Sequence, residues 1–410
     1  MTYDIAVIGA GSGGLTVAAA AAQFGQKVVL FEKERMGGDC LNTGCVPSKA
    51  LIAASKHAQA MRSGADYGIT PQEPAVDFAK VNDHVQRVIQ AIAPHDSVAR
   101  FEKLGVTVVQ AAASFRDAAT IAADGQIYTA RRMVIATGSR AAVPPIPGLT
   151  DIAYFTNETL FENRERPDHL IIIGGGPVGM EMAQAHRRLR SQVTVIEALA
   201  PLARDDPEMA AIVIDKLAAD GVIILAHTAV KAVRKTETGI AVETDGRGTI
   251  AGSHLLVAAG RAPNIEGLNL QAAGIAFTKT GITVDEGLRT SNRKVFAIGD
   301  VTGGLQFTHV AAYHAGLVIR SALFGIPVKA NAVIPWVTFT DPELAQAGEL
   351  IQPWVLAMSS GLKVQALANM VAPYPTLGEA NRRAAVTAFS GLASNPWVRR
   401  VIGIVKTMIQ

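Results

Sequence analysis

Two segments of this chain share one design: a short apolar strand, a glycine-rich turn, a helical run, a second apolar strand and an acid at its end. They are YDIAVIGAGSGGLTVAAAAAQFGQKVVLFEK, from Tyr3, and HLIIIGGGPVGMEMAQAHRRLRSQVTVIEA, from His169. The glycines fall at 9, 11 and 14 and again at 174, 176 and 179. At that spacing the first allows a tight turn, the second lets backbone approach a pyrophosphate, and the third lets the helix pack close on the strand. The helix amino terminus then offers unpaired N–H groups and a positive dipole end to phosphates. Glu32 and Glu197, about 20 residues further on, can take ribose hydroxyls. A lone glycine cluster reads equally well as a loop. Two in the same strand, turn, helix and acid context predict two dinucleotide sites in an α/β fold with tandem Rossmann-like domains.

Each unit is followed by a further strand and turn, RRMVIATGSRAAVPPIPG after the first and HLLVAAGRAPNIEG after the second. Prolines 144, 145 and 147 and the GRAPN stretch at 260–264 mark the borders between the units. Later, TVDEGLRTSNRKVFAIGDVTGG ends a strand at Gly299 and Asp300, where a carboxylate can bond a sugar or ribityl hydroxyl. Between the first turn and Thr137 lies a helical hairpin region whose charges fit a solvated face. All three tryptophans, 336, 354 and 397, lie in the last 80 or so residues, which suits an interface or a core against another chain. There IPWVTFTDPE reads as one strand, and the pattern from Glu343 to Met370 is mainly helical.

The chain holds only two cysteines in 410 residues, Cys40 and Cys45. In a regular helix that spacing rises about 7.5 Å, beyond the roughly 4.4–6.8 Å Cα separation of a disulfide. A bridge therefore needs a distorted turn, which Gly37, Gly38 and Gly44 permit, and Pro47 suits the first turn of a following helix. Cys45 then stands near a helix amino terminus with Lys49 close by, both favouring thiolate. A zinc site would want four ligands, and no second cluster is present at ligand spacing. Two inert buried cysteines remain an alternative; a redox-active dithiol fits better, because the nucleotide sites supply electrons and the pair can accept them.

The small net charge of +3 argues against a nucleic-acid partner. No apolar run reaches the roughly 20 residues that cross a bilayer. The amino terminus enters a strand at once, so the expected location is the cytoplasm. PWVRRVIGIVK near the carboxyl end reads as a solvated terminal helix rather than a membrane anchor.

GAGSGG, GGDCLNTGCVPSK, ATGS, GGGPVGMEMA, GRAPN and FAIGDVTGG, in that order over roughly the first 330 residues, resemble the class I pyridine nucleotide-disulfide oxidoreductases. That family includes glutathione reductase, dihydrolipoamide dehydrogenase and mercuric reductase. The resemblance implies an FAD domain over 1–148, an NAD(P) domain over 149–263, a return to the FAD and central domain over 264–330, and a dimerisation domain over 331–410. FAD would be held by Gly9, Gly11, Ser12, Gly13, Gly14, Glu32, Lys33, Gly38, Thr137, Gly138, Ser139 and Asp300, with Ala113 at the adenine. Gly174, Gly176, Pro177, Val178, Gly179, Glu197 and Gly260 would serve the nicotinamide nucleotide. Glu197 favours NADH over NADPH, since a carboxylate repels the extra phosphate; Arg204 leaves NADPH open. Pro177 stands where a gating tyrosine is common.

By the same resemblance Cys45 is the charge-transfer thiol, Cys40 the interchange thiol, and Lys49 with Glu181 the ion pair beside flavin N5. Tyr374 and Glu379 occupy the places of a His–Glu acid–base pair contributed by the partner subunit, with no histidine after His314 to replace the missing one. Tyrosine there, together with TFTDPELAQAG and GELIQPWVLAM, is similar to mercuric reductase. Soft Hg(II), bound as substrate at Cys40 and Cys45, needs thiolates more than a proton shuttle. The tail VIGIVKTMIQ lacks the cysteine pair usual in that enzyme. The fused stretch TFTDPELAQAGELIQPW predicts an internal deletion that truncates the interface domain, exposes a strand edge and puts the homodimer in question. Three functions follow as expectations. One is an FAD-dependent NAD(P)H:disulfide or mercuric ion oxidoreductase acting on a small substrate. The others are a diaphorase or NADH oxidase and a flavin-binding remnant without turnover.

Overall fold

The computed structural model describes residues 2–408 except 333, 335, 346–352, 354–356, 358–359 and 393–394. The first sheet is built from β1 (Thr2–Ile8), β2 (Val28–Phe31), β3 (Val106–Val109), β4 (Ala113–Phe115), β5 (Thr120–Ala123) and β6 (Gln126–Ile135), in the order β3-β2-β1-β6-β5-β4. β1, β2, β3 and β6 run parallel, and their apolar stretches are buried as strands covered on both faces must be. β6 is long enough to be shared. Its first half pairs antiparallel with β5, while Met133, Val134 and Ile135 pair in parallel with a strand from much later in the chain, Val295–Ala297. Helix α1 (Ser12–Gln23) follows β1 and packs an alanine-rich face on the sheet and on a late helix, Thr308–Phe324.

The helical hairpin expected after the first unit is present as α2 (Gly38–Asn42), α3 (Cys45–Arg62) and α4 (Phe78–Ile92), with a short α5 (Val98–Lys103) beyond. Asp77 caps α4 by accepting the Lys80 N–H at 3.1 Å. After β7 (Ser139–Ala141) comes the second parallel sheet, β10-β9-β8-β14, from β8 (His169–Ile173), β9 (Gln192–Ile196), β10 (Ile223–Leu225) and β14 (His254–Val257). An antiparallel ribbon of β11 (Val230–Thr236), β12 (Gly239–Thr244) and β13 (Gly248–Gly252) flanks it, with α6 (Pro177–Arg188) and α7 (Pro207–Ala219) as its helices. Nearly all of α6 is buried, because it lies between this sheet and α3. β15 (Arg261–Pro263) pairs antiparallel with β7, so the two stretches that border the second unit are stitched together. The chain then forms the β16–β17 hairpin (Phe277–Thr278, Gly281–Ile282), the late strand β18 (Val295–Ala297) and the late helix α8 (Thr308–Phe324).

Beyond α8 the strand expected at IPWVTFTDPE is a small hairpin instead: β19 (Val337–Thr338) pairs antiparallel with β20 (Leu344–Ala345). The expected lone strand thus has one partner, because the turn at Asp341–Pro342 folds the chain back within reach. Trp354 and most of GELIQPWVLAM lie outside the described residues. Helices at Val364–Ala368 and Leu377–Thr387 share a small core in which Ala357, Leu367 and Ala385 are buried. The terminal helix Pro396–Met408 is solvated on one side, with Trp397 71% exposed, but docked on the other, where Ile402 is buried and Lys406 pairs with Asp4. Among the described residues no helix is long and apolar enough to cross a membrane.

Candidate active site

The two glycine-rich turns repeat each other at the level of single atoms. A side chain on Gly14 would meet the Gly9 carbonyl at 1.9 Å, and one on Gly179 would meet the Gly174 carbonyl at 2.0 Å, so both helices approach their strands as closely as backbone allows. Glu32 accepts the Ala10 N–H at 2.7 Å; Glu197 accepts the Gly175 N–H at 2.6 Å. In each case the acid at the end of the second strand folds over the turn after the first.

A cavity of about 840 Å³ opens at the carboxyl ends of the first sheet. It is lined by Gly9, Gly11, Ser12, Gly13, Glu32 and Lys33 of the first unit, by Thr137, Gly138, Ser139 and Asp300, and by Gly38, Cys40, Cys45, Lys49 and Glu181. Of the residues expected at the nicotinamide nucleotide, Pro177 and Val178 reach this cavity, whereas Gly174, Gly176, Gly179, Glu197 and Gly260 do not line it. Gly14 also stays off it, since its role is packing. Ala113 is buried at the start of β4 and does not line the cavity, so the expected adenine contact is not seen there.

The cysteine pair straddles a break between two helices. Cys40 lies within α2 and Cys45 is the first residue of α3, and the chain turns between them at Thr43 and Gly44. Gly38 has φ +58°, and a side chain there would lie 2.7 Å from Gly11 Cα, so the cysteine loop rests directly on the first glycine-rich turn. Both cysteines are free thiols. Cys45 is lowered to about 7, first by the neighbouring Cys40 thiol, then by the Lys49 charge and the Thr308 hydroxyl, against the opposing effect of burial. Its sulfur is 3.3 Å from Thr308 Oγ1. Cys40 is raised well above the ordinary thiol value by the Cys45 sulfur and by burial. The pair therefore ionises at Cys45 first.

Lys49 extends one turn along α3 and pairs with Glu181 of α6 at 2.8 Å. Glu181 is 4% exposed and its other oxygen accepts the Phe339 N–H at 2.8 Å, while the Lys49 ammonium sits 4.4 Å from the Phe339 ring centre. Phe339 lies in the TFTDPELAQAG stretch but was not among the expected site residues. Arg261, from GRAPN, was likewise not an expected site residue and ties three parts together: it donates to Ser139 Oγ at 2.7 Å, pairs with Asp39 at 3.1 Å, and lies 3.7 Å from Asp300. Asp300 accepts the Ser139 hydroxyl at 2.5 Å, and burial raises its carboxyl despite Ser139 and Arg261.

Tyr374 lines the same cavity as Cys40 of its own chain. The segment after Met370 turns back over α8 and brings it there. Burial, and then the charges of the two sulfurs, push its phenol well above the ordinary tyrosine value. Glu379 does not form a pair with Tyr374; it faces Arg383 at 3.1 Å on its own helix. His309 on α8 accepts the Tyr374 N–H at 3.2 Å. Cys40 and Tyr374 line a second cavity as well, of about 750 Å³, which includes Glu379 and the guanidinium groups of Arg320 and Arg382; Cys45 does not line it.

Residues 3–315 match the family model described as pyridine nucleotide-disulphide oxidoreductase. The chain belongs to the pyridine nucleotide-disulphide oxidoreductases. It is 36% identical over 357 residues to mercuric reductase of Streptomyces lividans, covering 84% of this chain and 75% of the relative. Identity to dihydrolipoyl dehydrogenase of Geobacillus stearothermophilus is 36% over 358 residues, covering 83% and 74%. Mercuric reductase of Staphylococcus aureus is 34% identical, and this chain spans 64% of its length, a little under two thirds. The HOCl-induced flavoprotein disulfide reductase RclA of Escherichia coli shares the fold with a TM-score of 0.77 at 24% identity, covering 93% of this chain and 99% of that one. LpdA of Mycobacterium tuberculosis does so with 0.78 at 24%, covering 94% and 99%.

The family is one of FAD-dependent oxidoreductases that act on sulfur groups or mercuric ion, with FAD and a pyridine nucleotide as its cofactors. The residues present suit the flavin nucleotide. A side chain on Gly11 would point into open space, the amino terminus of α1 faces the same space, and Asp300 is a half-buried carboxylate that lines it.

Proposed function

We propose that this chain is an NAD(P)H:disulfide or mercuric ion oxidoreductase that moves electrons from a pyridine nucleotide through FAD to a Cys40–Cys45 disulfide and on to a small thiol-reactive acceptor. The observation that carries this reading is the division of the cysteines between two cavities. Cys45 borders only the larger cavity, where the nucleotide-binding residues gather, whereas Cys40 borders both. A dithiol that must take electrons on one side and deliver them on the other needs that arrangement. Bound FAD would supply the two-electron relay between nicotinamide and thiols.

The chain's own residues have distinct roles in this reading. Lys49, held by Glu181, puts a positive charge near Cys45, which with the Thr308 hydroxyl favours its thiolate at neutral pH. Gly9, Gly11, Ser12, Gly13, Glu32, Lys33, Gly38, Thr137, Gly138, Ser139 and Asp300 would hold FAD. Cys40 meets the acceptor. Tyr374, with its phenol pushed well above the ordinary value by burial, does not shuttle protons, which suits Hg(II) and reactive disulfides better than dihydrolipoamide. Glu197 at the end of β9 favours NADH over NADPH.

A diaphorase reading has one feature in its favour. At the gate position Pro177 offers no aromatic shield, and the adjacent Val178 is 45% exposed. One titration separates the two. With one equivalent of NADH added anaerobically to FAD-loaded protein, the expected outcome is a long-wavelength thiolate-to-flavin band and two released thiols. Bleached flavin with an intact disulfide would establish diaphorase chemistry instead. Cys40→Ser should abolish disulfide or mercury reduction; undiminished reduction would refute its assignment.

A further inference from the structure

The two cysteines flank a break between helices, and one side chain without a role in the mechanism above is bonded across it. Asp39 stands in α2 just before Cys40. Its Oδ1 accepts the Thr43 hydroxyl at 2.8 Å and the Asn157 side-chain amide at 2.8 Å. Its Oδ2 faces the Arg261 guanidinium at 3.1 Å. The backbone joins in: the Asp39 carbonyl accepts the Thr43 N–H at 2.9 Å, and the Asn157 amide also reaches the Thr43 carbonyl at 3.4 Å. A side chain on Gly44 would lie 2.9 Å from the Asp39 carbonyl and 2.9 Å from its Oδ2, so the carboxylate fills the space over the turn that joins α2 to α3.

Each partner comes from a different part of the fold. Thr43 ends α2. Asn157 lies where the chain passes from the first unit into the second. Arg261 lies on β15, where the chain returns, and is itself fixed by donating to Ser139 Oγ at 2.7 Å and to the Ser139 carbonyl at 3.0 Å. One carboxylate thus ties the turn between the cysteines to both crossings between the units. We propose that Asp39 is a positioning residue that staples the Thr43–Gly44 turn and so presets the approach of the two sulfurs for disulfide closure. This rests on the reading of Cys40 and Cys45 as a reversible dithiol. The Asp39 side chain is 37% exposed and that of Arg261 21%, so solvent screens their charges, and what the staple supplies is geometry.

A turn already ordered in the dithiol has little conformational freedom left to lose when the S–S bond forms, which raises the effective concentration of one thiol at the other. Without the staple the glycine-hinged turn samples other shapes, closure costs more, and the dithiol becomes a weaker reductant. The step is thiol–disulfide exchange, written here with oxidised dithiothreitol as the oxidant. Cys40 as thiolate attacks one sulfur of the cyclic disulfide; that S–S bond breaks and a mixed disulfide forms on Cys40. Cys45 as thiolate then attacks the Cys40 sulfur and releases reduced dithiothreitol. The cysteines have given up two electrons and two protons, and the reagent's two thiols have taken them up.

The test equilibrates full-length, FAD-loaded protein anaerobically with mixtures of oxidised and reduced dithiothreitol and counts free thiols after an acid quench, with bound flavin per chain as the folding control. Thr43→Val keeps the shape and removes the hydroxyl; it should lower the closure constant by about three- to tenfold, the worth of one hydrogen bond to a partly solvated carboxylate. Asn157→Ala should lower it by a similar factor. Asp39→Ala should lower it most, by about tenfold or more, and Asp39→Asn should recover most of that loss, because its oxygen still accepts from Thr43 and Asn157. Both Asp39 variants remove the same charge, so the difference between them reports the acceptor. Wild-type closure constants in Thr43→Val and Asn157→Ala, or equal losses in Asp39→Ala and Asp39→Asn, would overturn the staple while leaving the dithiol reading in place. Failure of the wild-type protein to form a Cys40–Cys45 disulfide at any dithiothreitol ratio would refute the dithiol reading and the staple with it.

Discussion

Replacing Thr308 with valine removes one hydroxyl and little else, because valine matches its shape and the Thr308 side chain does not cap α8. What is lost is the contact at 3.3 Å to Cys45 Sγ, in which the hydroxyl can donate to the thiolate. A hydrogen bond to a charged group is worth about 1.5–3 kcal/mol, and about 1.4 kcal/mol corresponds to one pKa unit. The donor stabilises the charged form only, so its loss raises the pKa. Cys45, lowered to about 7 in the intact site, should move up by about one to two units. At pH 7 the thiolate would fall from about half of the population to about a tenth or less. The pH midpoint can be followed by ultraviolet thiolate absorbance in reduced, flavin-free protein, and by the amplitude of the long-wavelength band in the loaded enzyme. Lys49→Met should shift the midpoint in the same direction. A Thr308→Val midpoint equal to that of wild type would show that the hydroxyl does not donate to this sulfur, and would leave the Cys40 thiol and the Lys49 charge as the causes of its ionisation.

Gly38→Ala should release FAD on gel filtration, because the new methyl would fall 2.7 Å from Gly11 Cα in a backbone at φ +58°; Gly68→Ala, also left-handed but with nothing within 4 Å, should retain it. Glu181→Gln should cost about 1–3 kcal/mol in urea unfolding, since it strips a nearly buried ammonium partner while keeping an acceptor for the Phe339 N–H, with Lys49 partly solvated and able to recover some of the loss. Unchanged stability would mean that the pair is functional only. Glu197→Ser should raise kcat/KM for NADPH relative to NADH by about tenfold or more, with repulsion of the extra phosphate relieved; an unchanged ratio would remove Glu197 as the discriminator.

Much of the site was legible because its chemistry is local in sequence. Gly9 to Gly14, Glu32, the cysteine loop and Lys49 all belong to a strand, turn and helix whose geometry their own spacing dictates. The residues that escaped notice act through long-range contacts. Arg261 reaches Asp39, Ser139 and Asp300 only because β15 pairs with β7. Phe339 meets Glu181 only because the β19 hairpin lies against α6. His309 looks like any helix histidine until the segment after Met370 folds back onto α8.

The sequence by itself determined that this protein has two dinucleotide-type βαβ units and a paired thiol site after the first. Glycine spacing and strand periodicity are properties of a few consecutive residues. It also determined that Cys45 sits near a helix amino terminus, since Pro47 suits the first turn of a helix. Only the tertiary structure decided which cysteine faces which cavity and what neutralises Lys49. Those depend on how distant elements pack, through contacts between residues hundreds of positions apart that no local pattern encodes.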